Sequence, residues 1–194
     1  MKIFIETERL ILRQFTEADV ELLFELDSDL EVTRFTKLGD RQNKPTPYPT
    51  IKNEFLPKII KYYQLYQSYG YWAAIEKSSQ KFMGWFHFRP GLDSYMGARL
   101  YEANDLEIGY RLKRVFWGKG YATEGGKALI RKGFLELGVQ RIVASALSEN
   151  QASIRVMEKI GLKFERKFIY TESQQEGVKY WLNQNQFELD NTKY

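Results

Sequence analysis

The chain has 194 residues, 43% of them apolar and 28% charged, a size and balance suited to one globular domain with its own apolar core. There is no cysteine and only one histidine, which excludes disulfides, thiolate nucleophiles, Cys-based zinc or iron–sulfur sites and any multi-His centre, so no metal is expected. The net charge of +4 comes from scattered rather than clustered bases; no specific nucleic-acid footprint stands out, while a mild positive bias suits an anionic ligand.

Acids at Glu6 and Glu8 come too early for a secretory leader, and no apolar run approaches membrane-spanning length, so the cytoplasm is the default location and no membrane partner is expected. Leu10–Arg13 reads as a first strand. Thr16 is placed to cap a helix that carries Leu22, Leu23, Leu26 and Leu30. Pro45, Pro47 and Pro49 mark the stretch 36–50 as a long loop. A helix follows over 51–69, with Phe55, Ile59, Ile60, Tyr63 and Tyr66 on its apolar face; Pro57 either kinks it or marks a later start.

Strands at 71–76 and 82–89 form a hairpin across Ser78–Gln80. His87, between Phe86 and Phe88, reads as a packed structural residue. Pro90–Asn104 is a second long loop. In the strand 106–112, Leu106, Ile108, Tyr110 and Leu112 share one face and Glu107, Gly109 and Arg111 the other. A helix over 120–137 ends at Gly138, a short strand spans 141–146, and a helix over 150–160 ends at Gly161. Strands at 164–170 and 178–183 close the chain as a hairpin across Gln174–Gly177, and the tail beyond Asp190 is polar and frayed. The order implies an α/β fold, a mixed sheet with helices on both faces, in one domain over 1–194.

The most informative stretch runs from Tyr110 to Glu124, where a strand ends, Gly118 and Gly120 flank Lys119, and a helix begins. Small residues there let a ligand reach the main chain, and the first N–H groups of a helix make an anion site suited to phosphate. A P-loop needs Ser or Thr after the lysine, where Gly120 stands. A dinucleotide fingerprint needs a third small residue where Thr123 stands, and an acid closing the next strand, which 141–146 does not offer. Two readings survive, the pyrophosphate loop of an acetyltransferase and a tight turn alone.

Three segments occur in order: Glu107-Ile-Gly-Tyr110, Trp117-Gly-Lys-Gly-Tyr-Ala-Thr-Glu124, and Asn150 to Phe164 with its Asn-x-x-Ser start and Ile160-Gly-Leu close. As a set they resemble the GNAT superfamily, in particular the branch of ribosomal-protein alanine N-acetyltransferases (RimJ/RimL-like), which Leu10-Ile-Leu-Arg13 also resembles. The resemblance implies a mixed, mostly antiparallel central sheet of about seven strands and acetyl-CoA as acyl donor. It implies cofactor contacts at Tyr110, Leu112, Trp117, Gly118, Lys119, Gly120, Tyr121, Ala122, Asn150 and Ser153. It also implies a splayed strand at Leu106–Leu112 whose main-chain N–H orients the acetyl carbonyl. Two departures stand out. The first position of the Gln/Arg-x-x-Gly-x-Gly/Ala pattern falls on Trp117, which leaves the pyrophosphate to main-chain N–H groups with Lys119 or Arg114 as added charge. Gly125-Gly126 follows Glu124 where alanine is usual, at a helix cost of about 1 kcal/mol each.

Acyl transfer from a thioester to an amine needs the amine neutral, and amines with reference pKa values of about 8 to 10 arrive protonated. Glu107, projecting from a central strand, is a candidate general base; it reads equally as half of an ion pair, with Arg111 along the same face. Asn150 is a good helix cap, with Ser148 and Gln151 also at capping-box spacing, and by the resemblance it contacts the pantetheine arm. The same resemblance implies that Ser153 stabilises or protonates the leaving thiolate, with Tyr170 and Tyr180 on the last two strands as alternatives for that acid. The competing function is a non-catalytic acyl-CoA-binding or sensing domain, which needs neither Glu107 nor Ser153. The acceptor amine, a peptide N-terminus or a small molecule, is not readable, and a homodimer is one assembly open to the chain.

Overall fold

A computed structural model describes residues 2–35, 44–171 and 173–191. The strands are β1 (Ile3–Glu6), β2 (Leu10–Gln14), β3 (Gly70–Glu76), β4 (Phe82–Pro90), β5 (Asp105–Leu112), β6 (Arg141–Leu147), β7 (Lys163–Tyr170) and β8 (Gln175–Asn183). The helices are α1 (Val20–Ser28), α2 (Leu30–Thr33), α3 (Tyr48–Thr50), α4 (Leu56–Leu65), α5 (Tyr121–Glu136), α6 (Gln151–Lys159) and α7 (Gln184–Asn191). The eight strands make one sheet in the order β1-β2-β3-β4-β5-β6-β8-β7. The pairs β1–β2, β2–β3, β6–β8 and β7–β8 are antiparallel, and β5–β6 is parallel. The strand beyond the sequence-based reading is β1. The residues group into two compact units, Met1–His87 with Tyr110–Gly125, and Phe88–Gly109 with Gly126–Tyr194.

In the first unit, β2 and β3 pair in register Ile11↔Ile75 and Arg13↔Ala73, which sets one face of the strands against α1 and α4. Phe15, Leu23, Leu26, Ile51, Leu56, Ile59, Ala73 and Ile75 make the core there. Thr16 caps a 3₁₀ turn over Glu17–Asp19 that leads into α1, and Asp19 also takes both terminal nitrogens of Arg13 at 2.8 and 2.7 Å. The helix expected over 51–69 is shorter and interrupted. A π turn at Ile51–Phe55 precedes α4, with the Leu56 N–H reaching the Ile51 carbonyl, and α4 stops at Leu65. Pro57 lacks the N–H that would continue the regular ladder, so the wider turn sits just before it. Of the loop expected over 36–50, residues 36–43 lie outside the described residues; 48–50 are helical, with the Tyr48 hydroxyl 2.6 Å from Glu21.

In the second unit, β6 and β8 pair with Val143 opposite Trp181, Ala144 opposite Tyr180 and Ser145 opposite Lys179. Alternation therefore puts Val143, Ser145, Lys179 and Trp181 on one face and Ala144 and Tyr180 on the other. The first face is covered by Met96, Leu100 and Tyr101 from the segment between β4 and β5, which packs there instead of hanging free. The other face meets α5 and α6: a Cβ at Gly133 would lie 2.7 Å from Phe88 and 3.1 Å from Ile142, and one at Gly126 3.0 Å from Ile160. Two boundaries differ from expectation. β8 begins at Gln175, so Gly177 is strand rather than turn, with the Phe168 ring lying where its Cβ would stand. The polar end of the chain forms α7, held by Phe187 against Phe134 at 5.1 Å between ring centres; residues 192–194, in the tail expected to fray, lie outside the described residues.

Candidate active site

Among the residues expected to hold cofactor, Tyr110, Leu112 and the run from Trp117 to Ala122 come together in the first unit. After β5 the chain makes a 3₁₀ turn over Arg114–Phe116, and the Trp117 indole N–H turns back to donate to the Leu112 carbonyl at 2.7 Å. Gly118 and Gly120 then adopt φ of +72° and +84°, left-handed positions that other residues take only under strain. A Cβ at Gly118 would meet nothing within 4 Å, and one at Gly120 would meet only the Arg9 guanidinium at 3.5 Å. The space above the loop is open, α5 starts beside it, and the first N–H groups of that helix have no partner within it. The loop fits a diphosphate.

Arg9 and Glu124 brace this loop. The Glu124 carboxylate accepts from the Thr7 hydroxyl at 2.6 Å, the Arg9 main-chain N–H at 2.9 Å and Arg9 Nε at 2.6 Å. Another arm of the guanidinium donates to the Lys119 carbonyl at 3.0 Å. Because the peptide is planar and trans, a Lys119 oxygen held by Arg9 turns the Gly120 N–H the opposite way. The guanidinium also lies 4.4 Å over the Tyr121 ring, whose hydroxyl donates to Glu76. An acid in the first turn of α5 would oppose an anionic ligand; Arg9 neutralises it.

The acid–base candidates lie in the second unit. The ladder between β5 and β6 has three pairs, Asp105↔Arg141, Leu106↔Ile142 and Glu107↔Val143, although both strands run on. Glu107 thus stands at the end of the ladder, on the Val143 face. Glu107 makes an ion pair with Arg89, whose Nε and terminal nitrogen donate to Glu107 Oε2 at 2.9 and 2.7 Å. Arg111, in the first unit, pairs with Asp27 and lies over the Trp85 ring at 5.1 Å. Glu107 Oε1 accepts from the Tyr101 hydroxyl at 2.7 Å and from Ser94 at 3.4 Å. The Tyr101 hydroxyl is also 2.7 Å from Ser145 Oγ.

Asn150 and Ser153 meet at the start of α6, where Asn150 Oδ1 accepts the Ser153 main-chain N–H at 3.2 Å. The cap is therefore made by Asn150, while Gln151 bonds the Ser148 carbonyl at 2.8 Å. Tyr180 faces α6 and donates to Glu158 at 3.2 Å, on the side of the sheet opposite Glu107. Burial, then the Glu158 charge, pushes its phenol above the ordinary value, so it remains a donor at neutral pH. His87 packs its ring against Tyr71 and Trp85, at 5.4 and 5.8 Å between centres. Among the described residues no group of three or more His, Cys, Asp or Glu could hold a metal ion, and no helix is long and apolar enough to cross a membrane.

Residues 9–163 match the family described as the acetyltransferase (GNAT) domain. The chain belongs to the GNAT acetyltransferases. An uncharacterized N-acetyltransferase of Bacillus subtilis strain 168, YoaA, is 29% identical over 184 residues, spanning 92% of this chain and 93% of its own length. Another, p20 of Bacillus licheniformis, is 30% identical over 160 residues, 82% of each chain. A crystal structure of a GNAT-family acetyltransferase from Bacillus anthracis superposes with a TM-score of 0.76 at 26% identity, covering 94% of this chain and 99% of that one. The fold is shared with RimL, a ribosomal L7/L12 α-N-protein acetyltransferase in complex with coenzyme A, at a TM-score of 0.73, 18% identity and 94% and 98% coverage. It is shared too with the aminoglycoside acetyltransferase AAC(6')-Ib in complex with coenzyme A and kanamycin, at 0.74, 19%, and 94% and 99%.

Sequence reasoning on this GNAT chain missed Arg9, Glu124, Arg89, Tyr101 and Ser145. Arg89 left one signal, a charge two residues beyond His87 near the end of an apolar strand. Tyr101 and Ser145 left none, because a loop tyrosine and a strand serine 44 residues apart share no spacing rule.

Proposed function

We propose that the chain transfers an acetyl group from acetyl-CoA to a primary amine, on a peptide N-terminus or a small molecule, by direct attack of the amine on the thioester. The observation that carries this reading is the end of the β5–β6 ladder at Glu107 and Val143. It frees main chain on the β6 side of Ile108 and Gly109 for an acyl carbonyl, and it sets a carboxylate at the same level.

Acetyl-CoA would supply the activated acyl carbon. Main-chain N–H groups at Gly118–Ala122 and the Lys119 charge would hold its diphosphate, with Tyr110, Leu112 and Trp117 beside them. Asn150 would contact the pantetheine arm. Glu107 would receive the proton that the amine sheds. Ser153 and Tyr180 would serve the leaving thiolate, and a thiol with a reference pKa of about 8.5 leaves without much help. Tyr180 on the face opposite Glu107 keeps the two proton jobs apart.

The test has two stages. CoA should raise the thermal midpoint, since a ligand at about 100 times its Kd adds about 2.7 kcal/mol to a fold that alone binds it. Acetyl-CoA with tetra-alanine, kanamycin or spermidine should then release free thiol. Absence of any response to millimolar CoA removes the loop assignment. A CoA response without turnover of any amine favours a non-catalytic acyl-CoA-binding domain.

A further inference from the structure

Tyr101 is 3% exposed, and its hydroxyl lies between two oxygens, Glu107 Oε1 and Ser145 Oγ, each at 2.7 Å. An ionised carboxylate only accepts, so the phenol donates to Glu107 and its own oxygen is left to accept from Ser145. Ser145 stands on β6 two residues past Val143, the last residue of that strand paired with β5, and on the same face. Glu107 and Tyr101 are buried and Ser145, at the other end of the line, is half-buried. Glu107 is meanwhile engaged by Arg89 on Oε2 and by Tyr101 and Ser94 on Oε1. An amine could reach that carboxylate directly only by displacing these donors.

We propose that Ser145, Tyr101 and Glu107 form a hydroxyl relay that carries the acceptor amine's proton to the buried carboxylate. The relay rests on the acetyl-transfer reading above. As the amine nitrogen bonds to the acyl carbon, Ser145 Oγ takes the nitrogen's proton. The serine's own proton passes to Tyr101 Oη, and the tyrosine's to Glu107 Oε1. The carbon–sulfur bond then breaks with its electron pair on sulfur. The thiolate takes its proton from the Tyr180 side, where solvent restores the phenol, and Glu107 returns its own proton along the hydroxyl line to solvent once the product has left. The amine has lost one proton, the sulfur has gained one, and all three residues end as they began.

A hydroxyl accepts and donates in one event, so neither Ser145 nor Tyr101 has to ionise. Burial first, and the neighbouring Glu107 charge second, push the Tyr101 phenol well above its ordinary value, so it stays protonated between turnovers. Burial raises the Tyr170 phenol as well, with Ser145 acting in the opposite direction.

Tyr101→Phe keeps the ring and removes the middle link. Ser145→Ala removes the substrate-side link, and Ser145→Thr returns a hydroxyl. With acetyl-CoA and the tetra-alanine, kanamycin and spermidine probes, both deletions should lower kcat about 100-fold, within the range for lost proton transfer. The KM for acetyl-CoA should stay within about twofold, and Ser145→Thr should recover about tenfold of the loss. Thermal midpoints separate a folding defect in Tyr101→Phe from a catalytic one, and Ser145→Ala, at the half-buried end, is the variant least exposed to that defect. Wild-type kcat in Ser145→Ala overturns the relay alone and leaves Tyr101 a strut. A loss that Ser145→Thr does not recover overturns it too. Wild-type protein that binds CoA and acetylates none of the probes overturns the acetyl-transfer reading, and the relay with it.

Discussion

Arg89 and Glu107 meet at 2.7 Å with side chains 16% and 8% exposed, so two opposite charges are sunk together at the end of the β5–β6 ladder. Such a pair is held by geometry and surrounding hydrogen bonds, because desolvation offsets most of the Coulomb attraction.

Glu107→Gln should therefore act on both stability and rate. It removes the charge opposite the largely buried Arg89 guanidinium, at a cost of about 3 kcal/mol in urea unfolding. Turnover should fall by about 10²–10⁴-fold, the range for a lost base. An Arg89→Leu, Glu107→Leu double variant should regain most of the stability and none of the rate. Recovery of rate in the double variant would reduce Glu107 to a structural partner.

Lys179 is buried on the same face of β8, 3.0 Å from both Asp105 Oδ2 and the Leu100 carbonyl and 3.5 Å from Glu165. Lys179→Met should cost about 3–5 kcal/mol by stranding Asp105, and Lys179→Met with Asp105→Asn should cost less than the sum of the two. Urea titrations of the double-mutant cycle measure the coupling. Additive losses would mean that Arg141, 3.3 Å from Asp105 Oδ1, already carries the compensation.

The paired glycines of α5 answer to different neighbours. A Cβ at Gly125 would stand 2.4 Å from Phe86 Cζ. Gly125→Ala should destabilise by about 1–3 kcal/mol of overpacking, more than the roughly 1 kcal/mol gained in helix propensity. Gly126, where the nearest atom is Ile160 Cγ2 at 3.0 Å, should tolerate alanine within about 1 kcal/mol. Thermal unfolding of the two variants side by side checks the order.

Burial alone would raise the Glu124 carboxyl, but hydrogen bonds from Thr7 and Arg9, with the Arg9 charge, outweigh it and hold the group below the ordinary glutamate value. A depressed folded-state value gives stability that is present above the unfolded pKa of about 4.3 and is lost as pH falls through the folded one. Wild-type protein should lose stability on acidification below about pH 4.3, and Glu124→Gln should lose less over that window. Parallel acid titrations of the thermal midpoint would show it; identical slopes would assign the acid lability to other carboxylates.

Arg9→Ala should weaken CoA about tenfold by calorimetry, because the Lys119 carbonyl is released and Glu124 is left uncompensated at the start of α5. Binding of S-acetylpantetheine, which has no diphosphate, should hardly change. Equal losses for both ligands would mean a general distortion rather than a loosened phosphate loop.

Element order was legible from local pattern: the alternation of β5, the glycine stops of α5 and α6, and the cap at Asn150 all act within a few residues, where strand and helix periods apply. Less legible were elements whose reason is a distant contact. α7 is mostly polar and needs Phe134 to hold Phe187, and Gly177 reads as a turn until Phe168 is seen lying over it.

What the sequence alone determined is the family and the glycine loop ahead of α5, because a left-handed glycine, a helix start and a capped turn are local conditions written in adjacent residues. Which charges meet was decided only by the tertiary structure. Glu107 found Arg89 across 18 residues, and Arg9 reached Glu124 across 115. Tyr101 came between Glu107 and Ser145 because the segment after β4 packs on that face of the sheet. Strand order and register choose such partners, and neither is encoded in the spacing of residues along one strand.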